Sequence, residues 1–132
     1  MGLKVHVLKI QEMESIGRGP GLRAWPLARQ EIGSACLTTG ITEFQDGAAI
    51  DVHAHNCQEQ VTILEGSAIA EIDGHEYALT APDTTFVPAG VAHRFYNQSG
   101  KPMKILWVYD SLAVKRTFLE SGKTEAHWSQ EK

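Results

Sequence analysis

Residues 53–66 read HAHNCQEQVTILEG, and the fold turns on how its two closely spaced histidines are read. In an α-helix, positions i and i+2 leave on different sides, so His53 and His55 do not converge there. In a β-strand the side-chain period is two, and both rings leave one face. Glu59 shares that parity, yet a straight strand would carry it roughly 13 Å beyond His55, at about 3.3 Å per residue. Metal ligands of these types sit about 2.0–2.2 Å from their ion. The chain must therefore reverse between His55 and Glu59 if all three serve one metal. Asn56, Cys57 and Gln58 occupy the place of that reversal, and asparagine favours turns because its amide bonds nearby backbone. The stretch reads as strand, tight turn, strand, with three candidate metal ligands.

The segments on either side carry strand signals. ACLTTGITEF (35–44) and AAIDVHAH (48–55) flank QDG, a hairpin-type connection. SAIAEIDGHEYALT (67–80) places Asp73-Gly74 between two alternating runs, the pattern of a two-residue type I′ turn. Counting outward from that turn pairs Ile72 with His75, Glu71 with Glu76, Ala70 with Tyr77 and Ala68 with Leu79. The small and apolar members then share a core face, while the two acids face water. TTFVP, AHRFYN (92–97), MKILWVY (103–109) and VKRTFL (114–119) continue the pattern, and VHVLKI (5–10) reads as an N-terminal strand. IGRGPGLRAWP (16–26), with three glycines and two prolines, reads as a loop. About ten short strands, with frequent turns and no room for a substantial helix, predict an all-β sandwich or barrel. The polar tail, 120–132, is expected to be frayed or loosely docked.

The 132 residues suit one domain, 1–132, around one core. Hydrophobic residues make up 42% and charged residues 21%, the balance of a globular chain. A net charge of −4 without a dense Lys/Arg cluster argues against nucleic acid as a partner. No apolar run approaches ~18 residues, so no membrane span is expected. Lys4, His6 and Lys9 interrupt the apolar positions at the start, which does not read as a secretory signal. MGLKVH lacks the Ser or Thr of a myristoylation signal. Cys36 and Cys57 form neither a metal motif nor a disulfide framework. Two reduced thiols in a cytoplasmic protein are expected, with the Cys57 thiol at a turn tip pointing away from the ligand candidates.

A fourth candidate ligand follows the Pro88-Ala89-Gly90 turn. His93 opens the alternating run HRFYN, so an inward His93 carries Phe95 and Asn97 inward with it. With His93 in place the sequence resembles the cupin superfamily. Its first motif is Gly, five residues, His-x-His, three or four residues, Glu, six residues, Gly. Here it stands as Gly47, His53, His55, Glu59 and Gly66. The second motif is matched by Pro88, Gly90, His93 and Asn97, with Pro82 where the opening glycine is expected. The motif core spans 47–97, with a short spacer, 67–81, of the kind found in small one-domain bacterial cupins. The resemblance implies a jelly-roll β-barrel (a double-stranded β-helix) in which His53, His55, Glu59 and His93 bind one divalent metal. His6, His75 and His127 are expected to be solvated.

Three imidazoles and a carboxylate suit Fe, Mn, Ni, Cu or Zn without selecting among them. Inward parity from the motif strands gives Val61, Ile63 and Phe95, which predicts an apolar cavity for a small organic molecule. Asn97, with Tyr109 or Trp107, is expected to supply its few polar contacts, and Trp25 and Arg23 are candidates for its mouth. Two or more Arg or Lys side chains at the open metal positions would point instead to an anionic sugar substrate. The family includes oxygenases, decarboxylases, isomerases, lyases and binding modules. The expected function is an oxygenase-type metalloenzyme. The alternatives are a non-catalytic metal- or ligand-binding cupin and a metal-assisted isomerase or lyase acting on a sugar acid. No catalytic residue is assigned from the motifs. Terminal strands at about 5–10 and 114–119 would leave sheet edges exposed, so a homodimer is expected.

Overall fold

The alternation of apolar residues in MKILWVY becomes the central strand of a computed structural model that describes residues 3–127. Twelve strands are formed among the described residues. They are β1 (Ile16–Gly19), β2 (Leu22–Pro26), β3 (Thr38–Phe44), β4 (His53–His55), β5 (Glu59–Glu65) and β6 (Ser67–Ile72). Then follow β7 (His75–Thr80), β8 (Thr84–Val87), β9 (His93–Tyr96), β10 (Met103–Tyr109), β11 (Lys115–Phe118) and β12 (Thr124–Ala126). Two antiparallel sheets result, ordered β1-β2-β3-β10-β5-β8 and β12-β11-β4-β9-β6-β7. The architecture is the expected all-β jelly-roll barrel, and helix among the described residues is limited to two 3₁₀ turns at Ile10–Glu12 and Gln30–Ile32.

The core forms between the sheets because alternate residues of each strand face inward. Met103, Ile105, Trp107 and Tyr109 of β10 are buried, and they meet Phe44, Val61 and Ile63 from the neighbouring strands. Ala68, Ala70 and Phe95 close the core from the second sheet. Trp107 lies opposite Gly40 on β3. A Cβ on Gly40 would stand 2.2 Å from the Trp107 ring, so only glycine lets the indole lie against that strand.

The β6–β7 hairpin has the register counted from its turn, Ser67↔Thr80 through Ile72↔His75. Asp73 and Gly74 take the left-handed φ values, 50° and 81°, that such a turn requires. Its two faces differ from expectation. Ala68 and Ala70 are buried, but Tyr77 lies on an edge strand and is exposed. The opposed acids are held rather than simply solvated. Glu71 accepts from Arg94 at 2.8 Å, and Glu76 accepts from the Tyr96 hydroxyl at 2.6 Å.

Four further expectations are corrected. VHVLKI forms no strand; Leu3, Val5 and Val7 are 101%, 89% and 77% exposed, having no neighbour with which to pair. The glycine-rich segment 16–26 is a hairpin, β1–β2, because its glycines and Pro20 fall at and beside the tip, where β-pairing tolerates them. In 48–55 only His53–His55 is strand, preceded by a single bridge between Ala49 and Tyr96. The tail is not frayed throughout, since β12 pairs with β11 and the His127 amide donates to the Val114 carbonyl at 2.9 Å. Residues 128–132 lie outside the described residues.

Candidate metal centre

His53 and His55 leave the same face of β4, and β9 brings His93 directly opposite His53. The reversal between His55 and Glu59 does more than form a hairpin. β4 and β5 belong to different sheets, so residues 56–58 carry the chain across the barrel and Glu59 faces the histidines from the other wall. Asn56 fixes the crossing by donating to the Ala113 carbonyl at 3.0 Å and accepting from the Lys115 amide at 2.7 Å. Gln58 does so through its backbone and side-chain bonds to Asp110, 2.9 and 2.8 Å.

All four side chains are buried, and the three imidazoles can hold a metal, their candidate ligand atoms lying within 4.8 Å of one another. Glu59 Oε2 is 3.3 Å from His55 Nε2, and Oε1 is 3.1 Å from His93 Nε2. The tautomers follow from the opposite edges of the rings. His53 Nδ1 lies 2.7 Å from the Asp51 carbonyl, His55 Nδ1 3.0 Å from that of Lys115, and His93 Nδ1 2.9 Å from that of Val91. A carbonyl only accepts, so each Nδ1 carries a proton, and a ring without a second proton leaves its Nε2 lone pair to the interior. His93 Nε2 and Glu59 Oε1 are not aligned for a hydrogen bond despite their closeness, and neither has another partner. Buried lone pairs facing one another across a short gap call for a positive charge between them.

The electrostatics show the same demand for positive charge beside Glu59. Burial pushes the His53 imidazole down to about 3, assisted by His93, which keeps it neutral. Burial would raise the Glu59 carboxyl, but the His55 and His93 imidazoles outweigh it and hold Glu59 well below the usual carboxylate range. Burial would likewise lower His93, and the Glu59 carboxylate overrides it upward. Cys57 is buried beside the crossing. Burial, then Asp110 and Glu59, push its thiol up to about 11, so it stays protonated and is a poor ligand.

Beyond the four residues lies a chain that the motifs do not contain. The Tyr109 hydroxyl is 3.3 Å from His55 Nε2 and 3.2 Å from His127 Nε2. His127, expected to be solvated, is buried against Trp107 and Tyr109 because β12 returns the tail over the barrel. Nothing local marks it, since its burial depends on pairing with β11. His6 and His75 are exposed, as expected.

A cavity of about 330 Å³ opens beside this chain, lined by Ile50, Trp107, Phe118, His127, Arg18 and Arg116 among others. It differs from the apolar pocket expected. Val61, Ile63 and Phe95 do face inward, but they are consumed in the core and line no part of it. Asn97 is also buried, yet it donates to the Phe44 and Lys101 carbonyls and accepts from Ser99, so it closes a turn and offers nothing to a ligand. Arg23 and Trp25 alternate with the cavity-lining Leu22 and Ala24 and stack together, with Arg23 on Glu43.

Comparison with known proteins gives a consistent picture. Residues 40–109 match the family model described as a cupin domain. The "Polyketide synthase CurC" of Streptomyces cyaneus is 26% identical over 115 residues, covering 86% of this chain and 74% of that protein. A structure described as an RmlC-like cupin from Shewanella frigidimarina superposes with a TM-score of 0.72 at 25% identity, covering 82% of this chain and 92% of that one. Bacillus subtilis oxalate decarboxylase, described by its Mn(II) centres, superposes with a TM-score of 0.72 at 21% identity, covering 83% of this chain and 31% of that one.

Proposed function

Because the chain belongs to the cupin family, we propose that it is a metal-dependent enzyme acting on a small organic molecule, with His53, His55, Glu59 and His93 holding one divalent ion. The observation that carries this reading is the set of three Nδ1-to-carbonyl contacts, which leave the Nε2 atoms of three clustered imidazoles to the interior beside the Glu59 carboxylate. A second layer of this kind orients and strengthens imidazole ligands. Bound there, the ion supplies a Lewis acid with open coordination positions. Mn(II) in the oxalate decarboxylase likeness supports the metal, and the polyketide name of the Streptomyces relative supports an oxygen-rich organic substrate.

The donor set suits redox-active Fe, Mn, Ni or Cu, and oxygenase-type turnover is the reaction type proposed. Arg18 and Arg116 in the cavity remove the argument from a purely apolar pocket, and the donor set is what remains. A metal-assisted isomerase or lyase on an acid is the second reading, favoured by Arg18 and Arg116 at the cavity. Protein purified without a histidine tag, reconstituted with each metal and screened for oxygen consumption against phenolic and keto-acid substrates tests the choice. Oxygen uptake that requires metal and is lost in His55→Ala supports the oxygenase. Turnover without oxygen uptake supports the second reading, and tight binding without turnover would leave a binding protein.

The reading places the protein in the cytoplasm as a homodimer. Cys36 and Cys57 are unpaired, and no helix among the described residues is long and apolar enough to cross a membrane. Leu3, Val5 and Val7 alternate along an exposed segment suited to pairing with a partner's sheet edge.

A further inference from the structure

Three of the four candidate ligands have a fixed partner behind them, a backbone carbonyl at Nδ1 of His53, His55 and His93. Glu59 has no such carbonyl, and its Oε1 is a buried atom without a hydrogen-bond partner. Ligating carboxylates, like ligating imidazoles, are ordinarily hydrogen-bonded from behind. Tyr109 is placed to do this for Glu59. β10 and β5 run antiparallel with Tyr109 directly opposite Glu59, so the two side chains leave the same face of the sheet. Both reach one atom: Glu59 Oε2 and the Tyr109 hydroxyl each lie 3.3 Å from His55 Nε2. Burial raises the phenol, and the Glu59 carboxylate raises it further through its charge and a hydrogen bond, so the proton stays on the oxygen.

His127 decides which way that proton points. Its Nε2 is 3.2 Å from the Tyr109 hydroxyl, and its Nδ1 is buried with no hydrogen-bond partner among the described residues. Burial keeps the ring neutral, with one proton. A buried N–H without an acceptor is rarer than a buried acceptor without a donor. The proton therefore sits on Nε2 and is donated to the phenol oxygen, which leaves the Tyr109 hydroxyl free to donate toward the ligand residues. His55 Nε2 is an acceptor there, but it is the atom by which His55 would ligate, and an ion on it leaves the proton to the carboxylate. The backbone holds His127 in place: its amide donates to the Val114 carbonyl at 2.9 Å, and its carbonyl accepts from Arg18.

We propose that Tyr109 and His127 are positioning residues of the metal centre: His127 Nε2–H donates to the Tyr109 oxygen, and the Tyr109 hydroxyl donates to Glu59 Oε2, leaving Oε1 for the ion. A carboxylate oxygen engaged by a phenol is withheld from coordination, so Glu59 supplies one donor and the ion keeps open positions for a substrate. The proposal rests on the metal reading of His53, His55, Glu59 and His93, and it extends that centre to the residue that follows β12.

The test uses the full chain with Co(II) as probe, read by competition with a chromophoric chelator and by the visible spectrum of the bound ion. Tyr109→Phe is expected to weaken Co(II) binding about 10- to 100-fold and to alter that spectrum. His127→Leu is expected to act in the same direction. His127→Gln, whose amide can donate where Nε2 did, is expected to recover part of the loss. In the chelated wild-type protein, the imidazole nitrogen shifts of His127 are expected to report a proton on Nε2. A Tyr109→Phe protein that only melts earlier, with Co(II) affinity and spectrum unchanged, overturns the proposal, and so does a His127 proton on Nδ1. The wild-type measurement decides even if a variant fails to fold. Wild-type protein that binds no Co(II) would remove the metal reading and the proposal together, whereas tight Co(II) binding indifferent to Tyr109→Phe removes the proposal alone.

Discussion

Replacing Gly40 with alanine should be among the most damaging single-methyl additions to this protein. The new Cβ would lie 2.2, 2.4 and 2.8 Å from three atoms of the Trp107 ring, whereas carbon contacts settle near about 3.5–4.0 Å. The indole must therefore retreat by more than about 1 Å. It has nowhere easy to go, being only 4% exposed, bonded through Nε1 to Thr42 at 2.8 Å, and packed on Tyr109 and His127. Overpacking costs about 1–3 kcal/mol, and breaking the buried Thr42 bond adds about 1–3 kcal/mol. Removing a glycine from a strand returns about 0.5–1 kcal/mol, so the net loss lies between about 1 and 5 kcal/mol, with a middle value of about 3 kcal/mol. Urea unfolding of the metal-free protein measures it, in the wild-type and in a Trp107→Leu background. With the ring gone, the Gly40→Ala cost should fall below about 1 kcal/mol, and the middle value then gives a coupling of about 2 kcal/mol. Equal costs in the two backgrounds would refute the close approach as the reason for Gly40.

Three other outcomes are expected. The metal-free protein should lose stability on acidification below pH 6.5: the unfolded chain takes up a proton at His53 there, while the folded ring resists it to about 3. The slope is about 1.4 kcal/mol per pH unit, or about 2 kcal/mol between pH 7 and 5. His127, also held low by burial, adds in the same direction. His93, raised, gains stability as pH falls toward its unfolded value and nothing more below it, so it offsets the loss only near pH 7 and not in the range below 6. A flat melting temperature from pH 7 to 5 would contradict the burial of these rings. A thiol reagent at pH 8 should modify Cys36 alone in the native state and both cysteines in denaturant, because the Cys57 thiol is buried and pushed up to about 11. Rapid native reaction of two thiols would count against that. Sedimentation should give twice the chain mass of 14.5 kDa, falling to one chain when residues 2–8 are removed; a monomeric full-length protein would dismiss the arm.

What the sequence made legible, and what it did not, follows from the range of the interactions. The β6–β7 register could be counted because a two-residue turn at Asp73-Gly74 fixes it locally. The convergence of His53, His55, Glu59 and His93 was visible through parity and the spacing of the two motifs. The route of Glu59 to the site was not, because a change of sheet at residues 56–58 depends on anchors at Asp110, Ala113 and Lys115, more than fifty positions away. VHVLKI has the composition of a strand, but pairing needs an available edge, and none meets it among the described residues. The β1–β2 hairpin was hidden by its glycines and prolines, which weaken a strand signal without forbidding an edge pair. The character of the cavity was missed for a related reason. Motif-strand parity identifies core residues, whereas Arg18, Arg116 and His127 arrive on β1, β11 and the end of β12, whose register no local pattern sets.

The central claim is that His53, His55, Glu59 and His93 hold one divalent metal ion, and elemental analysis of the untagged protein tests it most directly. Wild-type protein, as isolated or after incubation with Mn, Fe, Co, Ni, Cu or Zn and removal of excess, should retain close to one equivalent per chain. X-ray absorption should then give light-atom neighbours at about 2.0–2.2 Å with imidazole scattering. His55→Ala and His93→Ala should each retain far less while keeping the β-sheet circular dichroism of the wild type. Wild-type protein that retains none of these metals, or His55→Ala and His93→Ala variants that retain as much as wild type, would contradict the account.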